Sequence, residues 1–233
     1  LVSSGFERIT ADNDFSLKDR LSKWGVPDGI VFDRIKNDWK KLTQSPSFTV
    51  VQTSSSHEPF DVPYQRLSNK KLNAFAYTDA MVGAFLRQLA RSAAWKSTLV
   101  ILLPDHLGVY PEGIDNLSAS RYQIPLIITG GALVKRGKVP TIGSQIDLAA
   151  TLLAQLGLDH RNFMFSKNLL STAPNAFAFF THPDAFGMVR EEGSIVYDNA
   201  TQIVVERKGF TNGLEQDGKA FLQLLYNDLA QRQ

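Results

Sequence analysis

Thr98-Leu99-Val100-Ile101-Leu102-Leu103 runs straight into Pro104-Asp105-His106-Leu107-Gly108, and this junction decides the fold class. Six residues, nearly all apolar, predict a strand covered on both faces, which is the usual state of a central parallel strand. The strand delivers a carboxylate and an imidazole at its C-terminal end, where open α/β sheets place their ligand sites. Gly108 lets the backbone turn closely. One oxygen donor and one nitrogen donor suit Zn²⁺ or Mn²⁺ better than Ca²⁺. The plainer alternative is that Asp105 caps the next turn and His106 is a satisfied loop residue.

Upstream, residues 69–95 place Leu72, Phe75, Ala76, Met81, Val82, Phe85, Leu86 and Leu89 on one helical face, with Trp95 at its end. Before that, Phe48-Thr49-Val50-Val51-Gln52-Thr53 is β-rich and predicts a buried strand leading into Ser54-Ser55-Ser56-His57-Glu58-Pro59-Phe60. His57 is thus a second strand-end histidine and is expected in the same cleft as His106. Its plainer role is a loop residue bonded to nearby hydroxyls. The three serines lack the surroundings of a nucleophile elbow and read as turn chemistry. Asp28 is placed to cap a helix carrying Ile30, Val31, Ile35, Trp39 and Leu42.

Downstream, Gln123 to Gly130 predicts another strand, and 143–157 a helix stopped by Gly157. The alternation of strands and helices argues an α/β sheet with helical crossovers. The tail is different. Ala176–Thr181, Phe186–Arg190, Ser194–Tyr197 and Gln202–Arg207 are short strands between turn signals, followed by a helix over 215–231. They predict a separate antiparallel meander. Two domains follow: 1–172, and a C-terminal β subdomain over 173–233.

Composition narrows the function classes. With 25 basic and 23 acidic residues among 233, and no basic stripe interleaved with aromatics, no nucleic-acid partner is expected. Lys40-Lys41 and Lys70-Lys71 read as solvated faces. The absence of cysteine excludes disulfides and thiolate metal sites. No apolar run approaches the ~20 residues needed to span a bilayer. The first residue is not Met, so a piece of a longer protein is expected. His160 and His182 have no comparable setting and read as surface or appendage residues.

Several ordered motifs together resemble lipoteichoic acid synthases and related membrane-anchored phosphoglycerol and phosphoethanolamine transferases, of the sulfatase type in the alkaline phosphatase superfamily. Trp24-Gly25-Val26-Pro27-Asp28, the Thr53–Phe60 stretch, Tyr77-Thr78-Asp79 with Trp95–Leu99, and Leu103–Gly108 carry the match. Arg121–Pro125 and Gln145-Ile146-Asp147 to Leu158 extend it, so that it covers roughly residues 20–172. The resemblance implies an alkaline-phosphatase-like sheet with helices on both faces. It implies Asp105 and His106 as ligands of Mn²⁺ or Zn²⁺ and His57 as a contact to the phosphate-bearing substrate. Tyr77 and Asp79 match structural positions. The family's threonine nucleophile and a further acidic ligand lie N-terminal to the matched stretch, so the upstream part of the same polypeptide is expected to complete the site, and the chain alone to be inactive. The expected substrate is a phospholipid headgroup or a phosphorylated or sulfated small molecule. The expected location is extracytoplasmic, on a parent anchored by N-terminal membrane helices. A sulfatase, phosphatase or phosphodiesterase on the same scaffold, or a non-catalytic binding module, stays open beside the transferase.

Overall fold

The computed structural model describes residues 4–39, 46–171 and 176–232. It is mixed α/β, with four α-helices and two antiparallel sheets among the described residues. Two compact units emerge: Leu1–Leu102 with Ile127–Val134, and Leu103–Leu126 with Lys135–Gln233. The domain boundary expected at 172/173 lies outside the described residues.

The first unit is organised around two helices, α1 (Asp28–Trp39) and α2 (Lys70–Ala90). Asn69 caps α2 by accepting from the Leu72 amide. The helices meet through aromatics: Phe32 and Phe85 stack at 4.9 Å, and Trp39 and Phe85 at 5.6 Å. At Gly29 a Cβ would come within 2.8 Å of the Tyr77 hydroxyl, so the missing side chain lets α1 approach α2. Leu42, expected on the last turn of α1, lies outside the described residues.

Also in this unit, β1 (Val100–Leu102) pairs with β2 (Ile127–Thr129). The pairing is antiparallel, with Ile101 opposite Ile128. This corrects the expectation of a central parallel strand. An apolar run reports burial, whereas direction is set by the neighbour a strand meets, which is not local information. The strand expected over 48–53 is also not formed. Those residues enter no ladder, and Phe48 and Val50 are solvent-exposed. β-branched composition favours a strand only where a neighbour supplies hydrogen bonds and packing.

The second unit carries α3 (Asp147–Gln155), four strands and α4 (Leu214–Gln231). Gly157, at φ +69°, ends the α3 region as expected. The strands are β3 (Ala178–His182), β4 (Ala185–Val189), β5 (Gly193–Asp198) and β6 (Ile203–Gly209). They form an antiparallel meander in chain order, separate from β1–β2, with a bulge at Val196/Tyr197. Phe179, Phe186, Met188, Ile195, Tyr197 and Leu214 form its core, with Phe221, Leu222 and Leu225 of α4 packed against them. Glu206 on β6 accepts from the Ser118 hydroxyl and the Ala119 amide. Burial alone would raise its pKa. Those two hydrogen bonds and Lys208 outweigh burial and hold the carboxyl below its ordinary value.

Candidate active site

In the second unit, the strand-end pair is built by the turn Pro104–Gly108. The Asp105 carboxylate accepts from the His106 amide at 2.9 Å, an arrangement local to the dipeptide. His106 Nδ1 lies 3.0 Å from the Leu107 carbonyl. A carbonyl only accepts, so Nδ1 is the donor here and Nε2 is left for another partner. Nε2 lies 3.6 Å from Asp105 Oδ2. The structure therefore brings an imidazole nitrogen and a carboxylate oxygen together, both exposed to solvent. Among the described residues, no group of three or more His, Asp or Glu side chains is arranged to hold a metal ion.

Two further sequence motifs converge on the same turn. Arg121 donates to the Gly108 carbonyl at 2.9 Å. Gln145 donates to the Pro104 and Asp105 carbonyls, each at 2.8 Å. Residue pattern singled out both stretches but assigned neither side chain a role. Asp147, two residues on, is fully buried. It accepts from the Ser144 amide, the Lys167 amide and the Lys167 ammonium, an anchor for the start of α3.

His57 lies in the first unit, on a turn rather than at a strand end. Its amide donates to the Ser54 carbonyl, and its own carbonyl accepts from the Phe60 amide. Nδ1 donates to the Glu58 carbonyl at 3.2 Å, which leaves Nε2 free. The Trp24 ring sits 4.1 Å from the imidazole, so the Trp-Gly and His-Glu-Pro-Phe motifs meet here. The recess beside His57 is small, about 10 Å³, and includes Ser22, Ser54 and Asp61. A much larger groove of about 440 Å³ in this unit runs past Pro27, Ile30, Phe32, Tyr77, Met81 and Phe85. None of the candidate residues lines it, and Lys18, Asp19 and Asp33 stand among its otherwise largely apolar lining.

Beside His57, Asp28 does what sequence reading missed. It begins α1, but its carboxylate turns away from the helix's own amides. Oδ1 accepts from the Ser54 and Ser55 amides at 2.9 and 3.1 Å. Oδ2 accepts from the Thr78 hydroxyl at 2.7 Å, and the Asp28 amide donates to Ser55 Oγ. One buried carboxylate thus joins three of the matched motifs. Tyr77 is structural too: its hydroxyl accepts from the Gly29 amide, and burial raises its pKa above the ordinary value. Such links between distant stretches carry no local sequence signal except that each residue falls inside a motif.

Comparison with known proteins agrees with this architecture. The chain shares its fold with a solved protein of the alkaline phosphatase superfamily from Vibrio parahaemolyticus, at 24% identity and a TM-score of 0.72, covering 86% of this chain and 54% of that one. It is 24% identical over 187 residues to "Phosphoglycerol transferase I" of Xanthomonas campestris pv. campestris, covering 73% of this chain and 27% of the relative. It is 22% identical over 202 residues to "Lipoteichoic acid synthase-like YvgJ" of Bacillus subtilis, covering 75% and 33%. The chain thus spans a third or less of the length of these relatives. The family model described as Sulfatase matches residues 3–158, more than half of the chain, and the chain belongs to the sulfatase family.

Proposed function

We propose that the chain is part of a metal-dependent enzyme that transfers a phosphoglycerol- or phosphoethanolamine-type group, with Asp105 and His106 as two of the metal ligands. The observation that carries this reading is the 3.6 Å approach of His106 Nε2 to Asp105 Oδ2 in a sulfatase-family chain. Bonds of about 2.1 Å from each atom reach across that gap to one Zn²⁺ or Mn²⁺ ion. The pair is an incomplete site, because a catalytic centre takes about three protein ligands or more. The remaining ligand and a threonine nucleophile are assigned to sequence outside these 233 residues. The metal, when bound, lowers the nucleophile's pKa and neutralises phosphoryl oxygens. A phospho-threonine intermediate would divide one hard transfer into two easier ones.

His57 is assigned the substrate's phosphate-bearing group. As the imidazolium, with its Nδ1–H held by the Glu58 carbonyl, it presents an Nε2–H that can orient that group or protonate a departing alkoxide. The names of the relatives favour a phosphoglycerol donor, and the same reading assigns the chain to an extracytoplasmic, membrane-anchored parent. In the chain itself, no helix among the described residues is long and apolar enough to cross a membrane. A hydrolase of sulfate or phosphate esters is the second reading, favoured by the family model's own description. Within it, the Asp-His pair argues against a Ca²⁺ sulfatase, since imidazole is a poor ligand for that hard cation.

The test is a Zn²⁺ titration of the isotope-labelled chain, followed at the ring resonances of its four histidines. We expect weak, millimolar-range binding that moves His106 first and is lost in Asp105→Asn. A His106 signal that stays fixed while His160 or His182 responds would remove the metal assignment.

A further inference from the structure

Asp105 and His106 are exposed, so core packing does not hold them, yet a metal ligand must be held within roughly 0.5 Å of its working position. The turn that carries them is gripped at its two ends by side chains from distant parts of the second unit. Gln145 spends both hydrogens of its amide on consecutive carbonyls, Pro104 and Asp105, at 2.8 Å each. Arg121 takes the Gly108 carbonyl at the other end. The base from which Gln145 reaches is itself fixed on either side. Ser144 Oγ donates to the Phe179 carbonyl and accepts from the Phe179 amide, which ties it to β3. Asp147, buried, is held by Lys167 through both backbone and ammonium.

We propose that Gln145 is a positioning residue for the Asp105–His106 pair, with Arg121 as its counterpart on the far side of the turn. This rests on the reading that the pair binds a metal. Neither residue touches the ion. By fixing the carbonyls before and after Asp105, Gln145 removes the backbone rotations that would swing the carboxylate and imidazole apart. The ligands then pay little ordering entropy when the ion binds. Groups that orient metal ligands from behind typically contribute about 10–100-fold to metal affinity.

The test uses the full 233-residue chain. Backbone order parameters at residues 105–107 are measured without metal, and Zn²⁺ affinity is read at the His106 ring. Gln145→Met keeps the bulk and removes both donors. We expect order at 105–107 to fall from about 0.85 toward 0.6. The Zn²⁺ dissociation constant should rise about tenfold while the thermal midpoint stays unchanged. Gln145→Lys, which returns donors to the same carbonyls, should recover the order. Unchanged order in Gln145→Met overturns the proposal whatever the metal does. Lost order with Zn²⁺ affinity still at the wild-type value overturns it as well. A wild-type chain whose His106 ignores Zn²⁺ overturns instead the metal reading beneath it.

Discussion

At the scale of single residues, the first unit depends on a carboxylate that makes no ion pair among the described residues. Asp28 is fully buried and satisfied by two amides and one hydroxyl. Replacing it by Ala strands those three donors in a site closed to water, at a cost of about 2–4 kcal/mol. Asn behaves differently. Its amide oxygen still serves Ser54 and Ser55, and its NH₂ can face Thr78 Oγ1, which accepts as readily as it donates. The expected cost is about 1 kcal/mol. Urea midpoints of the two variants decide the matter: equal losses would mean that the negative charge, not the hydrogen-bond count, is what the site requires. The sequence placed Asp28 at the start of the right helix. It could not show that the carboxylate serves a loop some 26 residues away, because a helix start with Asp predicts a cap on its own first turn.

At the scale of elements, the tail meander was legible, whereas the main strands β1 and β2 were located but not their antiparallel pairing, and the strand expected over 48–53 does not form. Alternating residues such as Phe177 and Phe179, with close turn signals, specify an antiparallel meander through local rules, and β3–β6 fall within a few residues of the expected spans. Residues 48–53 and 98–103 carried an equally strong propensity, but their direction and pairing depend on distant partners. The α4–β4 contact shows how tight the local packing is. At Gly218 a Cβ would run into the Phe186 ring, which is itself fully buried and has no room to yield. Helix propensity alone favours Gly218→Ala by about 1 kcal/mol. Overpacking a filled core costs about 1–3 kcal/mol, and here the second effect wins. We expect a lower thermal midpoint for Gly218→Ala. A raised midpoint would show that α4 slides freely on the sheet.

At the scale of the whole molecule, ligand arithmetic governs activity. Under the proposed reading the chain offers two metal ligands and no assigned nucleophile, so p-nitrophenyl phosphate and a phosphodiester analogue should not be turned over with added Mn²⁺ or Zn²⁺. Metal-dependent turnover that His106→Ala abolishes would mean that the missing groups lie within the chain, and Asp12, Asp14 and Ser54 would be the first places to look. The structure shows the acids already engaged: Asp12 pairs with Arg20 at 2.7 Å, and Asp14 accepts from the Ala11 amide. By itself the sequence determined the family resemblance, the Asp105-His106 pair, the helices and the tail meander, because each is written in contiguous residues obeying local periodicity and turn chemistry. Only the tertiary structure decided that β1 runs antiparallel to β2, that Asp28 joins three motifs, and that Arg121 and Gln145 converge on one turn. Those outcomes depend on hydrogen bonds between residues 13 to 50 positions apart in the chain, and such pairings are selected by the folded backbone as a whole rather than by any one segment.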